Sequence, residues 1–243
     1  MNPKIQIFKD LHALSDFAAQ LFVSAATQAI AERGRFLGAL SGGNAPKPLY
    51  QLLASEAYRG QIEWKRVHIF WGDERCVPRD NPENNYFQAS ELLLSKVAIP
   101  EENIHRVESE SSPAEAARDY ANALKSFAEA SLEYPRFDFV LLGMGDDGHT
   151  ASLFPNSPTD VSSPVIAVTA NYQDRPANRV TLTPLVFNAA RQIIFLVSGG
   201  SKAETLAKIL NGEYRPSLLP AQRIRPTEGE LIWLIDETAA SKL

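Results

Sequence analysis

The stretch Phe137–Pro155, FDFVLLGMGDDGHTASLFP, decides how the rest of the chain is read. It opens as an apolar run, FDFVLL, with the length and composition of a strand covered on both faces. It then breaks into a turn built on Gly143, Gly145 and Gly148, which carries Asp146, Asp147, His149 and Thr150. The spacing is formally G-x-G-x-x-G, but a dinucleotide fingerprint needs a long helix to follow and a pyrophosphate on its N-terminus. Here Pro155 and Pro158 come too soon, and Asp146 and Asp147 would repel the phosphates. The glycines instead shape a sharp exit from a buried strand, and what the exit delivers is Asp147 and His149.

Outward from this stretch, strand-like and helix-like segments alternate. IQIF (5–8), FLGAL (36–40), RVHIFW (66–71), PVIAVTA (164–170), RVTLT (179–183), IIFLV (193–197) and ELIWLI (230–235) read as strands. Leu14, Phe17, Ala18, Leu21, Phe22, Ala25 and Ala29 recur at helical spacing. Further helices are expected over residues 46–58, entered through prolines, over 84–97, and over 112–130, opened by a capping box from Ser112 to Glu115. A short helix over 184–190 and another over 201–210 complete the pattern. Alternation of this kind predicts an α/β fold: a mostly parallel, Rossmann-like sheet with helices on both faces, in one domain spanning residues 1–243.

Four of these strands end in glycine and polar residues: Ser41-Gly42-Gly43-Asn44, Gly72-Asp73-Glu74-Arg75, the opening stretch, and Ser198-Gly199-Gly200-Ser201-Lys202. Ligands of open parallel sheets bind beyond the carboxyl ends of the strands, so the four turns are expected to share one edge and form a site. Ser41-Gly42-Gly43 before a helix suits an anion held by backbone N–H groups. It equally suits a tight turn with Asn44 as helix cap. Ser201 and Glu204 have capping-box spacing, while Lys202 in the first helical turn opposes the macrodipole unless an anion binds there. Arg75 is either ion-paired with its neighbours Asp73 and Glu74 or offered to a ligand oxygen. Arg179 is a second cation of the same kind, or a solvated residue at a strand start.

His149 has the side chain whose charge changes near neutral pH, which suits a general base, with a carboxylate beside it to orient the ring. No role is read for Asp146 beyond forming the turn. No G-x-S-x-G elbow is present, the four histidines lack metal-ligand spacing, and Cys76 has no histidine near it in sequence to activate it as a nucleophile.

Composition narrows the partners. The formal net charge of −5 argues against nucleic acid or an anionic membrane as the main partner. The single cysteine excludes an internal disulfide and points to a reducing, cytoplasmic compartment. Lys9 and Asp10 interrupt any signal-peptide core. Ser241-Lys242-Leu243 would be read as a peroxisomal address in a eukaryotic cell, or is simply a frayed tail after Asp236. The chain is expected to act as a monomer or weak homo-oligomer.

Taken together, ALSGGNAPKPLY, FWGDERCVPRDNPENNY, LLGMGDDGHTASLFP, RVTLTPLVFNAAR, SGGSKAETL and LPAQRIRPTEGELIWLID closely resemble the 6-phosphogluconolactonase family, in that family's order and over most of the chain. The resemblance implies hydrolysis of 6-phospho-D-glucono-1,5-lactone in the pentose phosphate pathway, with no nucleotide, cofactor or required metal. It assigns Ser41, Gly42 and Gly43, with Asn44, to the first phosphate-side loop, and Arg179 and Lys202 to the phosphate. Asp73 and Arg75 would line the sugar, and His149 would be the base beside Asp147. Two departures stand out: Gly-Gly-Asn-Ala-Pro lacks the usual hydroxyls before the proline, and Asn84 replaces a common serine. The related glucosamine-6-phosphate deaminases usually carry a glutamate where this chain has Phe154. A sugar-phosphate-binding regulator without turnover is the remaining alternative.

Overall fold

The computed structural model describes residues 3–129 and 132–243. Its elements run β1 (Lys4–Phe8), α1 (Leu11–Arg33), β2 (Phe36–Leu40), α2 (Lys47–Ala54), α3 (Glu56–Arg59), β3 (Val67–Trp71), β4 (Asp73–Arg75), α4 (Asn85–Leu92), α5 (Pro113–Lys125), β5 (Phe139–Gly143), β6 (Val165–Thr169), β7 (Asn178–Leu182), α6 (Pro184–Ala189), β8 (Gln192–Val197), α7 (Ala203–Asn211) and β9 (Glu230–Asp236). Six strands form one sheet in the order β1-β9-β8-β5-β2-β3, parallel throughout.

The continuous apolar runs are explained by this sheet. Along β5, Val140 and Leu142 pack into one core with α5, α6 and α7, while Phe139 and Leu141 pack into a second core with α1, α2 and α4. Successive side chains of a strand point to opposite faces, so a strand covered on both sides has no position left for a polar residue. The expected α/β class with helices on both faces is what the chain adopts.

Several expectations change in detail. The predicted helix over 46–58 is two helices, broken at Ser55, whose backbone is extended (φ −71°, ψ 162°). The helix from residue 84 ends at Leu92 and is followed by a 3-10 turn over Leu94–Lys96. The capping box at Ser112 and Glu115 is present, but α5 stops at Lys125; the last residue of the predicted helix, Ala130, lies outside the described residues. The chain after Asp236 does not fray: Asp236 Oδ1 accepts from Ala239 N and Thr238 Oγ1, both at 2.8 Å.

The larger departure is a second, antiparallel sheet, β4-β7-β6. The chain leaves the main sheet at Gly72, whose N–H still donates to Leu40 O (2.8 Å) and whose carbonyl accepts from Leu182 N (2.9 Å). Asp73–Arg75, expected as part of a turn, is therefore a strand, with Asp73 opposite Thr181 and Arg75 opposite Arg179. This small sheet sits at the carboxyl ends of β2 and β3. Two buried tyrosines hold those ends in place. Tyr50 OH donates to Ser41 O and accepts from Ser41 N, and Tyr120 OH does the same for Trp71.

At the β3 edge, His68 and His105 meet at 3.2 Å between ring nitrogens, and His105 stacks on Phe70 with centroids 4.4 Å apart. Burial, then the neighbouring His68, pushes the His105 imidazole down to about 4 from 6.5. The unfolded chain takes up a proton near 6.5 that the folded chain refuses until about 4, so acid in that window favours unfolding. Denaturant midpoints should fall as pH drops through it, and fall less steeply for His105→Phe, which keeps the stack but cannot bind the proton. Parallel profiles would show that this pair does not set the acid limb.

Candidate active site

The exits of β2, β5 and β8 and the β3–β4 bend surround one cleft of about 350 Å³. Between β2 and β5 the chain's connections diverge to opposite sides of the sheet, the place where open α/β sheets leave a crevice. Ser41, Gly42, Gly43, Asn44, Asp73, Arg75, His149, Arg179 and Lys202 all line it. Of the residues to which the sequence assigned a catalytic or binding role, Asp147 alone is not in the wall; it stands behind the imidazole.

The His149 turn is closed by its own backbone: Gly145 N donates to His149 O (2.9 Å) and Gly148 N to Gly145 O (3.0 Å). Gly148 has φ 85°, a conformation that favours glycine. Asp147 Oδ1 accepts from both His149 N (3.0 Å) and His149 Nδ1 (2.6 Å). With Nδ1–H committed to the carboxylate, Nε2 is the free, basic nitrogen. Burial pushes the Asp147 carboxyl up, but the bonds and charge of His149 together outweigh it and hold it below its ordinary value.

The ring lies directly on Gly145. An ideal Cβ there would fall 2.1 Å from His149 Nδ1 and 2.8 Å from Asp147 Oδ1. Gly145→Ala should therefore evict the imidazole while leaving the strand beneath it intact. With His149 as the base that the sequence leads one to expect, a loss of about 10²-fold in kcat, the usual effect of an ångström's misplacement, should accompany an unchanged far-UV spectrum. Wild-type turnover in this variant would mean that the ring position is not critical.

Asp146, for which the sequence suggested no role, ties this turn to the last glycine loop. Ser201 Oγ donates to its carboxylate (3.2 Å) and Thr205 Oγ1 to its carbonyl (2.6 Å). That bond replaces the capping box expected at Ser201 and Glu204: α7 has no side-chain cap, and its N-cap position is Lys202 itself. Asn44 likewise does not cap α2, whose N-cap position is Pro46. Asn84 does cap α4, accepting from Phe87 N at 3.0 Å, which makes its replacement of a serine conservative.

Two of the cations, Arg75 and Arg179, are unusual in being buried with unmatched donors. Arg179 is only 3% exposed, and its Nε and Nη2 have no hydrogen-bond partner among the described residues. Its guanidinium lies 5.3 Å over the Phe154 ring. Arg75 faces it across the strand pair. The ion pair considered for Arg75 with Asp73 or Glu74 does not form; Nη1 donates to Glu83 O (2.5 Å) and lies 3.4 Å from Glu83 Oε2, while Nε has no partner among the described residues. The Glu74 carboxylate is occupied instead by the backbone N–H groups of Arg75, Asn85 and Tyr86. Burial lowers the pKa of Arg179 and of Lys202, the latter against the opposing pull of Asp146 and Asp236. Arg75 and Arg179 are like charges held opposite one another with donors unmatched among the described residues, an arrangement that an anion would relieve.

Sequence reasoning missed four contributors. Asn85 Nδ2 donates to Asp73 O (2.8 Å), and its Oδ1 lies where a Cβ on Gly42 would be, so it joins the first glycine loop to β4. Tyr172, Gln173 and Arg175, from the loop between β6 and β7, line the cleft. Among the described residues, no three His, Cys, Asp or Glu side chains are grouped to hold a metal ion.

The family described as glucosamine-6-phosphate isomerases/6-phosphogluconolactonase matches residues 9–233. The chain belongs to this family. Family members similar over the whole chain include a 6-phosphogluconolactonase of Synechocystis sp., 41% identical over 100% of this chain and 99% of that protein. A 6-phosphogluconolactonase of Mycobacterium tuberculosis is 37% identical over 100% and 99%. Among solved members, 6-phosphogluconolactonase from Trypanosoma brucei superposes with a TM-score of 0.85 at 30% identity, covering 100% of this chain and 99% of that one. A monomeric glucosamine-6-phosphate deaminase shares the fold at 21% identity and a TM-score of 0.84.

Proposed function

We propose that the cleft hydrolyses 6-phospho-D-glucono-1,5-lactone to 6-phospho-D-gluconate, a step of the pentose phosphate pathway carried out in the cytosol. Full-length relatives bearing that name support the reading, and one observation carries it: Asp147 holds Nδ1 of His149 at 2.6 Å, leaving Nε2 as a base in the wall of a cleft lined by buried cations.

His149 Nε2 takes a proton from water as the water oxygen attacks the lactone carbonyl carbon. The negative charge developing on the carbonyl oxygen is met by Arg75, which Glu83 holds from behind. Collapse of the tetrahedral intermediate breaks the bond from the carbonyl carbon to the ring oxygen, and the imidazolium returns its proton to that oxygen. Asp147 stabilises the imidazolium in between. The Ser41–Gly43 loop with Asn44, Arg179 and Lys202 hold the phosphate, and Asp73 takes sugar hydroxyls. The deaminase alternative lacks its extra acid: Phe154 stands in that place, its ring 4.5 Å from that of His149.

A pH-stat assay on freshly made lactone tests the reading. Acid release above the spontaneous rate, without ammonia, is the expected result. Ammonia from glucosamine 6-phosphate would replace it with the deaminase, and binding of 6-phosphogluconate without turnover would replace it with the regulator.

A further inference from the structure

The imidazole of His149 is held on more than one side. Asp147 takes Nδ1, Gly145 lies beneath the ring, and Phe154 packs against it at 4.5 Å with the planes 32° apart. A further neighbour is Tyr172, whose ring meets the imidazole at 4.6 Å and 77°, a T-shaped contact. Tyr172 also lies 5.8 Å from Phe154, so the three rings close on one another.

Tyr172 comes from an element unrelated to the His149 turn. It precedes Gln173 and Asp174, which both have positive φ (48° and 54°), a conformation costly for side-chain-bearing residues and kept only where surroundings impose it. The next residue, Arg175, reaches Glu83 Oε2 at 3.4 Å, the same oxygen that lies 3.4 Å from Arg75. The strained tip of this loop is thus anchored to the loop that holds Arg75, with Tyr172 set over the base. A T-shaped aromatic contact adds orientation to simple burial.

On the reading of the site given above, we propose that Tyr172 is a positioning residue for His149: its ring completes the aromatic enclosure that keeps Nε2 aimed into the cleft. It acts through the imidazole and not on substrate. An aromatic ring is all that the role requires, so the hydroxyl is dispensable.

The test is a double-mutant cycle. Tyr172→Ala should lower kcat roughly 10- to 10²-fold with little change in KM, the scale of a misaligned catalytic group. Tyr172→Phe should restore it. In the His149→Ala background, Tyr172→Ala should cost nothing further, because its effect passes through the ring that is gone. Equal losses in both backgrounds, a change confined to KM, or failure of Tyr172→Phe to rescue would overturn the proposal.

A second measurement does not depend on the reaction. The imidazole ¹⁵N resonances of His149, assigned by their loss in His149→Ala, should report a single tautomer in the wild type. They should move toward an averaged pair in Tyr172→Ala. Identical ring signals in the two proteins would refute the positioning role even if the lactone is the substrate. Altered signals in a protein inert toward the lactone would support the positioning role and remove the reaction.

Discussion

His149→Ala is expected to lower enzymatic lactone hydrolysis by roughly 10²–10⁴-fold, the usual contribution of a positioned general base. The lactone also opens unaided, so the rate must be read after subtracting the enzyme-free control. The size follows from what the turn provides. Asp147 Oδ1 binds both the backbone N–H and Nδ1 of His149, so ring and backbone share one anchor, and Nε2 is the nitrogen that the proposed mechanism uses to accept from water. Alanine removes the acceptor without disturbing the bonds Gly145 N→His149 O and Gly148 N→Gly145 O, because those use only main chain. The fold should therefore survive, and product affinity should change little, since the cations are carried by other elements. A fall in kcat with preserved 6-phosphogluconate binding is the signature of a group that acts on the reaction and not on the ground state. A variant that turns over at close to the wild-type rate would take the base away from His149 and leave the Asp147 pair without a chemical purpose.

The parts of this site that the sequence discloses are those governed by local rules. A buried parallel strand must be apolar on both faces and must leave the sheet through a turn, so FLGAL into Ser41-Gly42-Gly43 and FDFVLL into Gly143–His149 are visible without coordinates. The shared edge follows because strands of one direction end on one side. The parts that stay hidden depend on partners far away in the chain. Asp73–Arg75 is too short and too polar to look like a strand, and becomes one only by pairing with Arg179–Thr181 more than a hundred residues on. That pairing in turn brings Tyr172 and Arg175 to the cleft, which is why a polar loop between two ordinary strands gave no warning. Ser201 shows the reverse failure: its spacing to Glu204 is a sound local signal, but the tertiary bond to Asp146 outcompetes it. Tyr50 and Tyr120 look like core aromatics, and only the fold reveals hydroxyls that satisfy both backbone groups of Ser41 and Trp71.

Arg179→Met should separate binding from stability. The guanidinium is buried, sits opposite Arg75 and has Nε and Nη2 unmatched among the described residues. Desolvating a cation without full compensation opposes folding, and burial accordingly lowers its pKa despite the counter-charge of Asp73. Methionine has similar length, keeps the packing against Phe154 and removes both the desolvation cost and the repulsion from Arg75. The thermal midpoint without ligand should stay the same or rise. With ligand the order reverses. Taking away one member of a buried, charge-assisted pair with the phosphate should weaken 6-phosphogluconate binding by roughly 10²-fold or more. The product should therefore raise the wild-type midpoint, by linkage, at concentrations that leave the variant unmoved. Calorimetric titration and melting curves with and without product read both halves. A variant that melts lower yet binds product normally would make Arg179 a structural cation, and the phosphate would have to be held by Lys202 and the Ser41–Gly43 loop alone.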